Sequence, residues 1–221
     1  MVAANFHDSG FAVYTKDMIV RPEGFEMTGI RPRIPYTYDD YRTLPESMDR
    51  RYELLQGELY MVPAPNTAHQ IISADLQYLL TQHTRATRSG RVLASPVDVV
   101  FGEGRAREVA QPDLVFISTA RLHIVKQPAI EGAPDLVVEI LSGGTQERDR
   151  GYKFTLYARY GVPEYWMIDP IQKLVEVCVL GANGYGAPRR HGIGATLESV
   201  LLPGLHLSVA DIFAGLVDIS M

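Results

Sequence analysis

The sequence predicts a mixed α/β fold, because it combines a buried strand pattern with a separate helical pattern. Residues 133–141 read Ala-Pro-Asp-Leu-Val-Val-Glu-Ile-Leu, a mostly aliphatic run that is too short for a helix. Such a run is typical of a central strand that is covered on both faces. In residues 68–83, by contrast, apolar residues recur at helical spacing and predict an amphipathic helix. The chain of 221 residues is long enough for one domain with a full core.

Composition and charge exclude several classes of protein. The net charge of −5 argues against nucleic-acid binding through a large basic surface, although it leaves room for a site made of carboxylates and cations. No run approaches the ~20 apolar residues of a membrane span, and residues 1–10 lack the pattern of a secretory signal. We therefore expect a cytoplasmic protein. The single cysteine, Cys178, excludes an internal disulfide and a cysteine zinc site.

The first part of the chain predicts an extension followed by a hairpin. Residues 1–45 contain several Gly and Pro residues without sustained periodicity, so we expect an N-terminal arm, with a short helix at 38–44 that Thr37 caps. Residues 46–221 form the predicted single domain. Its first elements are strands at 51–55 and 58–62, joined by a Gln56-Gly57 turn.

The middle of the chain predicts a long helix and an antiparallel pair of strands. The helix at 68–83 is capped by Asn66, and His69 in its first turn is expected to be a surface or capping residue, with a ligand role as the alternative. Residues 91–101 form a strand broken by Pro96, and residues 109–117 form another after a Gly-containing turn. Asp113 opens the buried part of the second strand.

The second half predicts a helix at 147–160, closed by Gly161 and Pro163, and strands at 164–169 and 174–180. A short strand near 195–200 and a final helix at 209–216 follow.

Three polar residues occupy positions where the pattern requires apolar ones: Asp113, Glu139 and Lys153. Side chains alternate along a strand, so Glu139 projects into whatever covers one face of its sheet, where an unpaired carboxylate would cost several kcal/mol. Lys153 lies on the inward face of the predicted helix, together with positions 149, 156, 157 and 160. A structural ion pair and a functional site both explain this pattern.

The functional alternative has a clear chemical basis. Two carboxylates on adjacent strands can hold a hard divalent cation, Mg²⁺ or Mn²⁺, and leave positions for waters and a phosphate. The cation polarises the phosphate and acidifies a bound water, and a nearby ammonium stabilises the charge that develops. Phosphodiester hydrolysis is the reaction that these groups suit.

Several motifs together resemble the Uma-two family of bacterial endonucleases, which belongs to the PD-(D/E)XK, or restriction-endonuclease-like, superfamily. The resemblance covers roughly residues 50–180, and its motifs are Tyr52-Glu53-Leu54, Gly57-Glu58, Pro112-Asp113, Val138-Glu139-Ile140-Leu141, Arg148-Asp149-Arg150-Gly151-Tyr152-Lys153 and Gly161-Val162-Pro163-Glu164-Tyr165-Trp166.

The resemblance implies a core of helix, three-stranded meander, helix and strand, with residues 68–83 as the first helix. It implies that Asp113 and Glu139 are the metal-binding acids and that Glu53 is a further candidate. The superfamily's lysine usually follows the second acid by two positions, where this chain has Leu141. Lys153 is the candidate to supply the amine instead. Asp98 is either a neighbour of Asp113 or a turn residue.

The function expected from the residues and the resemblance is a Mg²⁺-dependent endonuclease that acts on DNA. The alternative is a catalytically degenerate nuclease fold that serves as a binding or assembly module. A serine hydrolase is disfavoured, because the sequence contains no Gly-x-Ser-x-Gly motif and no His is placed to activate Ser142. Cleavage of both strands by a single-site domain would favour a homodimer.

Overall fold

The structure, a computed structural model, describes residues 34–44 and 51–216 and the backbone of two short strands before them. The expected irregular arm therefore falls largely outside the described residues. The strands are β1 (Asn5–Phe6), β2 (Ala12–Tyr14), β3 (Arg51–Leu55), β4 (Glu58–Val62), β5 (Gly90–Ala94), β6 (Val99–Phe101), β7 (Glu108–Ala110), β8 (Leu114–Ser118), β9 (Ile130–Glu131), β10 (Leu136–Ile140), β11 (Glu164–Asp169), β12 (Leu174–Gly181), β13 (Gly184–Tyr185), β14 (Arg189–Gly192), β15 (Thr196–Leu197) and β16 (Leu207–Ser208).

The α-helices are α1 (Tyr38–Arg42), α2 (Thr67–Thr87), α3 (Gln146–Arg148), α4 (Phe154–Arg159) and α5 (Val209–Ile212). A π-helical turn, Asp149–Lys153, joins α3 to α4, and short 3₁₀ helices span Gly104–Ala106, Thr119–Ile124 and Ala214–Leu216. Within the described residues, no helix is long and apolar enough to cross a membrane.

The chain divides into two compact units, of which the first comprises residues 1–63 and 102–110. Its strands pair antiparallel in the order β1-β2-β4-β3-β7. The predicted hairpin is confirmed, with β3 and β4 at the expected bounds and positive φ angles at Gln56 and Gly57 in the turn. The predicted cap of α1 is also confirmed, because Thr37 and Asp40 form a reciprocal capping box.

The second unit, residues 64–101 and 111–221, contains the central sheet. Strands β5, β8 and β10 form an antiparallel meander, and β11 follows β10 in parallel. Helix α2 precedes the meander, and the helical segment 146–159 connects β10 to β11, as a parallel connection requires. Strands β12, β13 and β14 extend the sheet beyond β11. The order of helix, meander, helix and strand is the one that the resemblance implied.

Helix α2 covers one face of this sheet with a stripe of apolar side chains. Ile72, Leu76 and Leu80 pack with Val138 and the other even-numbered residues of β10 in the core. The helix is longer than the predicted 68–83. The stripe continues at Thr84, which is buried and donates its hydroxyl to the carbonyl of Thr81, so the helical pattern does not stop with its last leucine.

Two strands in the middle of the chain are shorter than predicted. The expected single strand at 109–117 is wrong, because Gln111-Pro112-Asp113 interrupts it and leaves two strands, β7 and β8. Pro112 has no N–H for a ladder, which favours the break. The predicted interruption at Pro96 is confirmed, with β5 before it and β6 after it, and β5 pairs antiparallel with β8.

The opposite face of the sheet lies under the segment 146–159. The predicted helix at 147–160 is confirmed in position, but five of its residues form the π-helical turn. Asp149, Lys153, Leu156 and Tyr157 are buried, as their predicted inward face requires. The odd-numbered side chains of β10, including Glu139, point to this face.

Candidate functional site

The two predicted acids lie near the same end of β10. The antiparallel register pairs Val137 with Val115 and Val138 with Leu114, and Asp113 directly precedes β8. Glu139 contacts segment 146–159, whereas the carboxylate of Asp113 contacts the backbone N–H of Ile140 and the side chain of His69.

Glu139 is held by two donors from this segment. Its Oε1 accepts a hydrogen bond of 2.9 Å from Nζ of Lys153 and one of 2.6 Å from the hydroxyl of Tyr157. The side chains of Glu139 and Lys153 are only 5% and 4% exposed. A charge in this environment needs its partner, because desolvation costs several kcal/mol per ion.

Lys153 also contacts a second buried carboxylate. Its Nζ lies 3.3 Å from Oδ1 of Asp149, one turn earlier in the π-helical segment. The hydroxyl of Tyr165 on β11 donates to the backbone carbonyl of Asp149 at 3.1 Å. Burial raises the pKa of Tyr165 well above its ordinary value, and the carboxylates of Asp149 and Glu139 raise it further. Tyr165 is therefore a neutral hydrogen-bond donor that holds the helical turn against the sheet.

Asp113 directly precedes β8 and is held by different contacts. Its Oδ2 accepts a hydrogen bond of 2.7 Å from the backbone N–H of Ile140, the residue directly after Glu139. The same oxygen lies 3.1 Å from Nε2 of His69 in the first turn of α2. Asp113 is thereby tied to both the end of β10 and the start of α2.

His69 was expected to be a surface or capping residue, with a ligand role as the alternative. Its backbone N–H donates to the Asn66 cap, while its side chain is only 13% exposed and contacts Asp113. Its Nδ1 is buried without a hydrogen-bond partner among the described residues. The sequence indicated only that His69 lies in the first turn of a helix. Its partner Asp113 lies 44 residues later, so local spacing could not identify the contact.

The remaining candidates occupy other positions. Asp98 accepts a hydrogen bond of 2.7 Å from Gln111, just before β8. Leu141, at the usual lysine position, is buried. Glu53 is buried in β3, which belongs to the other compact unit, and its functional role stays a prediction.

Cys178 on β12 is a fully buried free thiol. Burial raises the pKa of its thiol to about 12, and the neighbouring carboxylate of Glu176 adds to this shift. The thiolate, which is the reactive form, is therefore scarce at neutral pH.

The acids suit a hard cation in their chemistry. Mg²⁺ is commonly held by one or two carboxylates and several waters. The contacts of Asp113 with His69 and Ile140 both use Oδ2, so within the described residues Oδ1 remains for a further ligand. In residues 34–44 and 51–216, no group of three or more His, Cys, Asp or Glu side chains could hold a metal. A cation at these two acids would be held by their carboxylates and by waters rather than by an all-protein cage.

The chain is similar to known proteins over most of its length. The model of the Uma2 family, described as "Putative restriction endonuclease", matches residues 38–210. A crystal structure described as a putative nuclease belonging to DUF820 from Anabaena variabilis matches with a TM-score of 0.69 at 22% sequence identity, covering 81% of this chain and 98% of that chain. No curated protein matches. The fold is restriction-endonuclease-like.

Proposed function

The chain belongs to the Uma2 family, and from this premise we propose that it is a nuclease that hydrolyses phosphodiester bonds of DNA with a bound divalent cation, Mg²⁺ or Mn²⁺. The observation that supports the proposal is the hydrogen bond from the backbone N–H of Ile140, the residue after Glu139, to the carboxylate of Asp113, together with the ammonium of Lys153 against Glu139.

In this proposal, Asp113 and Glu139 hold the cation. When bound, the cation supplies Lewis-acid charge and lowers the pKa of a coordinated water. The Ile140 N–H and His69 both contact Oδ2 of Asp113 and thereby orient its carboxylate. The direction of Oδ1, the oxygen proposed to bind the cation, is fixed by the same contacts. Such partners of a ligating group fix its direction before the metal arrives.

Lys153 supplies positive charge beside Glu139 in place of the superfamily's usual lysine, whose position Leu141 occupies. Its ammonium sits between Glu139 and Asp149 in a buried environment, where an electrostatic interaction is stronger than in water. We assign it the stabilisation of negative charge that develops on the phosphate. Tyr157, through its hydrogen bond to Glu139, keeps that carboxylate in place.

A second candidate function is a nuclease-like fold that no longer cleaves and serves as a binding or assembly module. The contacts of Glu139 favour it, because Lys153 and Tyr157 both use Oε1 and the ion pair is almost wholly buried. In that case the acids stabilise the protein as an ion-pair network and bind no metal.

A cleavage assay tests the proposal directly. The purified protein is incubated with plasmid DNA, single-stranded DNA and RNA, each with Mg²⁺, Mn²⁺ or EDTA. We expect DNA cleavage with either metal and none with EDTA. Titration with Mn²⁺ in parallel separates the two candidates, since the nuclease binds the ion through Asp113 and Glu139 and the degenerate module does not.

A further inference from the structure

We infer that Arg190, on the face of the sheet that carries Glu139, contacts a backbone phosphate of the substrate at a distance from the acids. This inference deepens the proposed function and rests on it for the identity of the substrate, a nucleic acid.

One row of cross-strand partners connects Glu139 with Arg190. The register pairs Glu139 with Met167, Met167 with Glu176, and Glu176 with Arg190, across β10, β11, β12 and β14. Directly paired residues share a face, so this row lies on the face that carries Glu139. Three strand spacings of about 4.8 Å separate the backbones of Glu139 and Arg190 by about 14 Å.

Glu176 holds two guanidinium groups at this position. Its Oε1 accepts a hydrogen bond of 2.9 Å from Nε of Arg190, and its Oε2 accepts one from Nη1 of Arg150 in the π-helical turn. The side chain of Glu176 is buried, whereas that of Arg190 is 68% exposed. The carboxylate thus fixes the direction of an arginine that otherwise faces solvent.

The way in which Arg190 is held leaves its two terminal nitrogens available for a phosphate. Glu176 engages Nε, and among the described residues the two terminal nitrogens of Arg190 make no hydrogen bond or ion pair. A guanidinium presents its donors in a planar fork that suits two phosphate oxygens at once. A fork already positioned by a buried carboxylate loses less conformational freedom when it binds.

The distance from the acids suits a phosphate of the same nucleic-acid chain. About 14 Å is several times the 3.4 Å by which a DNA strand advances along its axis for each nucleotide, so the phosphate at Arg190 would lie a few nucleotides from the acids. Phosphate contacts of this kind fix the position of the substrate and carry no sequence information.

The inference is tested by DNA binding in EDTA, where no cleavage competes. We use Arg190→Gln, because the glutamine amide can still donate to Glu176 while the positive charge is lost. Binding of a fluorescent 20-base-pair duplex is measured by anisotropy between 50 and 200 mM salt. Loss of one phosphate contact lowers the slope of log K against log salt by about 0.9, so the affinity ratio of wild type to variant falls about 3-fold over this range.

A matched control lies on the same strand. Arg189 is also exposed, but it pairs with Val177 and points to the other face of the sheet. Arg189→Gln removes the same charge, and we expect it to keep the wild-type slope. Arg190→Lys restores the charge and is expected to recover the slope. Thermal unfolding of each variant shows that the binding refers to folded protein.

The outcomes separate this inference from the proposed function. An unchanged slope for Arg190→Gln, or an equal loss for Arg189→Gln, overturns the phosphate contact even if the wild type cleaves DNA. A wild type that does not bind the duplex at 50 mM salt also overturns it. A selective loss at Arg190 supports the contact, and it does so even if the protein proves unable to cleave.

Discussion

The ammonium of Lys153 lies 2.9 Å from Oε1 of Glu139, although one residue belongs to a helical turn and the other to the central strand. The two residues are almost fully buried, and Asp149 completes the group. The same contact would serve a structural ion pair or a catalytic charge, and variants of the two residues distinguish these roles.

Lys153→Met is expected to affect both stability and rate. Two buried carboxylates lose their cation, so the free energy of unfolding should fall by about 3 kcal/mol. If the ammonium also stabilises developing charge, the single-turnover rate per folded molecule should fall about 10²-fold or more, while Mn²⁺ binding persists. Lys126→Met, at an exposed position, is the control. An unaltered rate per folded molecule would rule out the catalytic role.

Glu139→Gln should abolish metal-dependent cleavage while the protein remains folded. The amide oxygen can still accept from Lys153 and Tyr157, but the charge that holds the cation is gone. Glu164→Gln makes the same change at another buried carboxylate, which pairs with Leu136 at the opposite end of β10. Only the change at Glu139 should remove cleavage and Mn²⁺ binding. Equal cleavage by the two variants would refute the assignment.

His69→Ala should weaken metal binding or cleavage by about 10- to 100-fold, the usual effect of removing the partner of a ligating group. The reason is that Asp113 loses one of the two contacts that orient its carboxylate. His69→Gln, which can still donate to Asp113, should recover part of the loss. Mn²⁺ titration and cleavage rates are compared with those of His206→Ala, an exposed histidine. A wild-type result for His69→Ala would leave this residue a purely structural role.

Glu164 should make stability depend on pH. Burial raises the pKa of its carboxyl above 4.5, although hydrogen bonds from Trp166 and Ser199 partly offset this shift. The folded state therefore holds the proton more strongly than the unfolded state. The resulting stabilisation is present below pH 4.5 and is lost as the pH rises through the folded pKa.

The substitution Glu164→Gln removes this dependence, because an amide does not titrate. Relative to wild type, the variant should gain stability between pH 4 and pH 7, as measured by urea unfolding at about six pH values. A constant difference between the two proteins across this range would contradict the raised pKa.

The sequence was most informative where residue type and spacing act locally. The bounds of β3, β4 and β11 were predicted correctly, because alternating or continuous apolar residues end at Gly, Pro or Asp-Pro. The inward position of Lys153 also followed from helical spacing alone. Its partner Glu139 could be anticipated because a buried ammonium and a buried carboxylate lie on consecutive elements.

Relationships between distant segments could not be predicted in this way. The contact of His69 with Asp113 depends on how α2 packs near the start of β8, and local spacing carries no information about that. The helix end was misplaced because Thr84 is polar by type but buried by position. The metal-binding and catalytic roles of the acids remain predictions, which the variants above address.

The π-helical turn Asp149–Lys153 makes the site sensitive to chain length as well as to residue type. This turn accommodates one more residue than an α-helical turn. A Cβ at Gly151 would meet nothing within 4 Å, so the turn has room for a side chain there. Removal of one residue from the turn has a different effect. Each α-helical residue accounts for about 100° of rotation, so the residues after the turn would rotate by that angle with respect to Asp149. Tyr157 would then point away from Glu139. Homologues that keep every polar residue but lack this extra position would therefore have lost the alignment of the site.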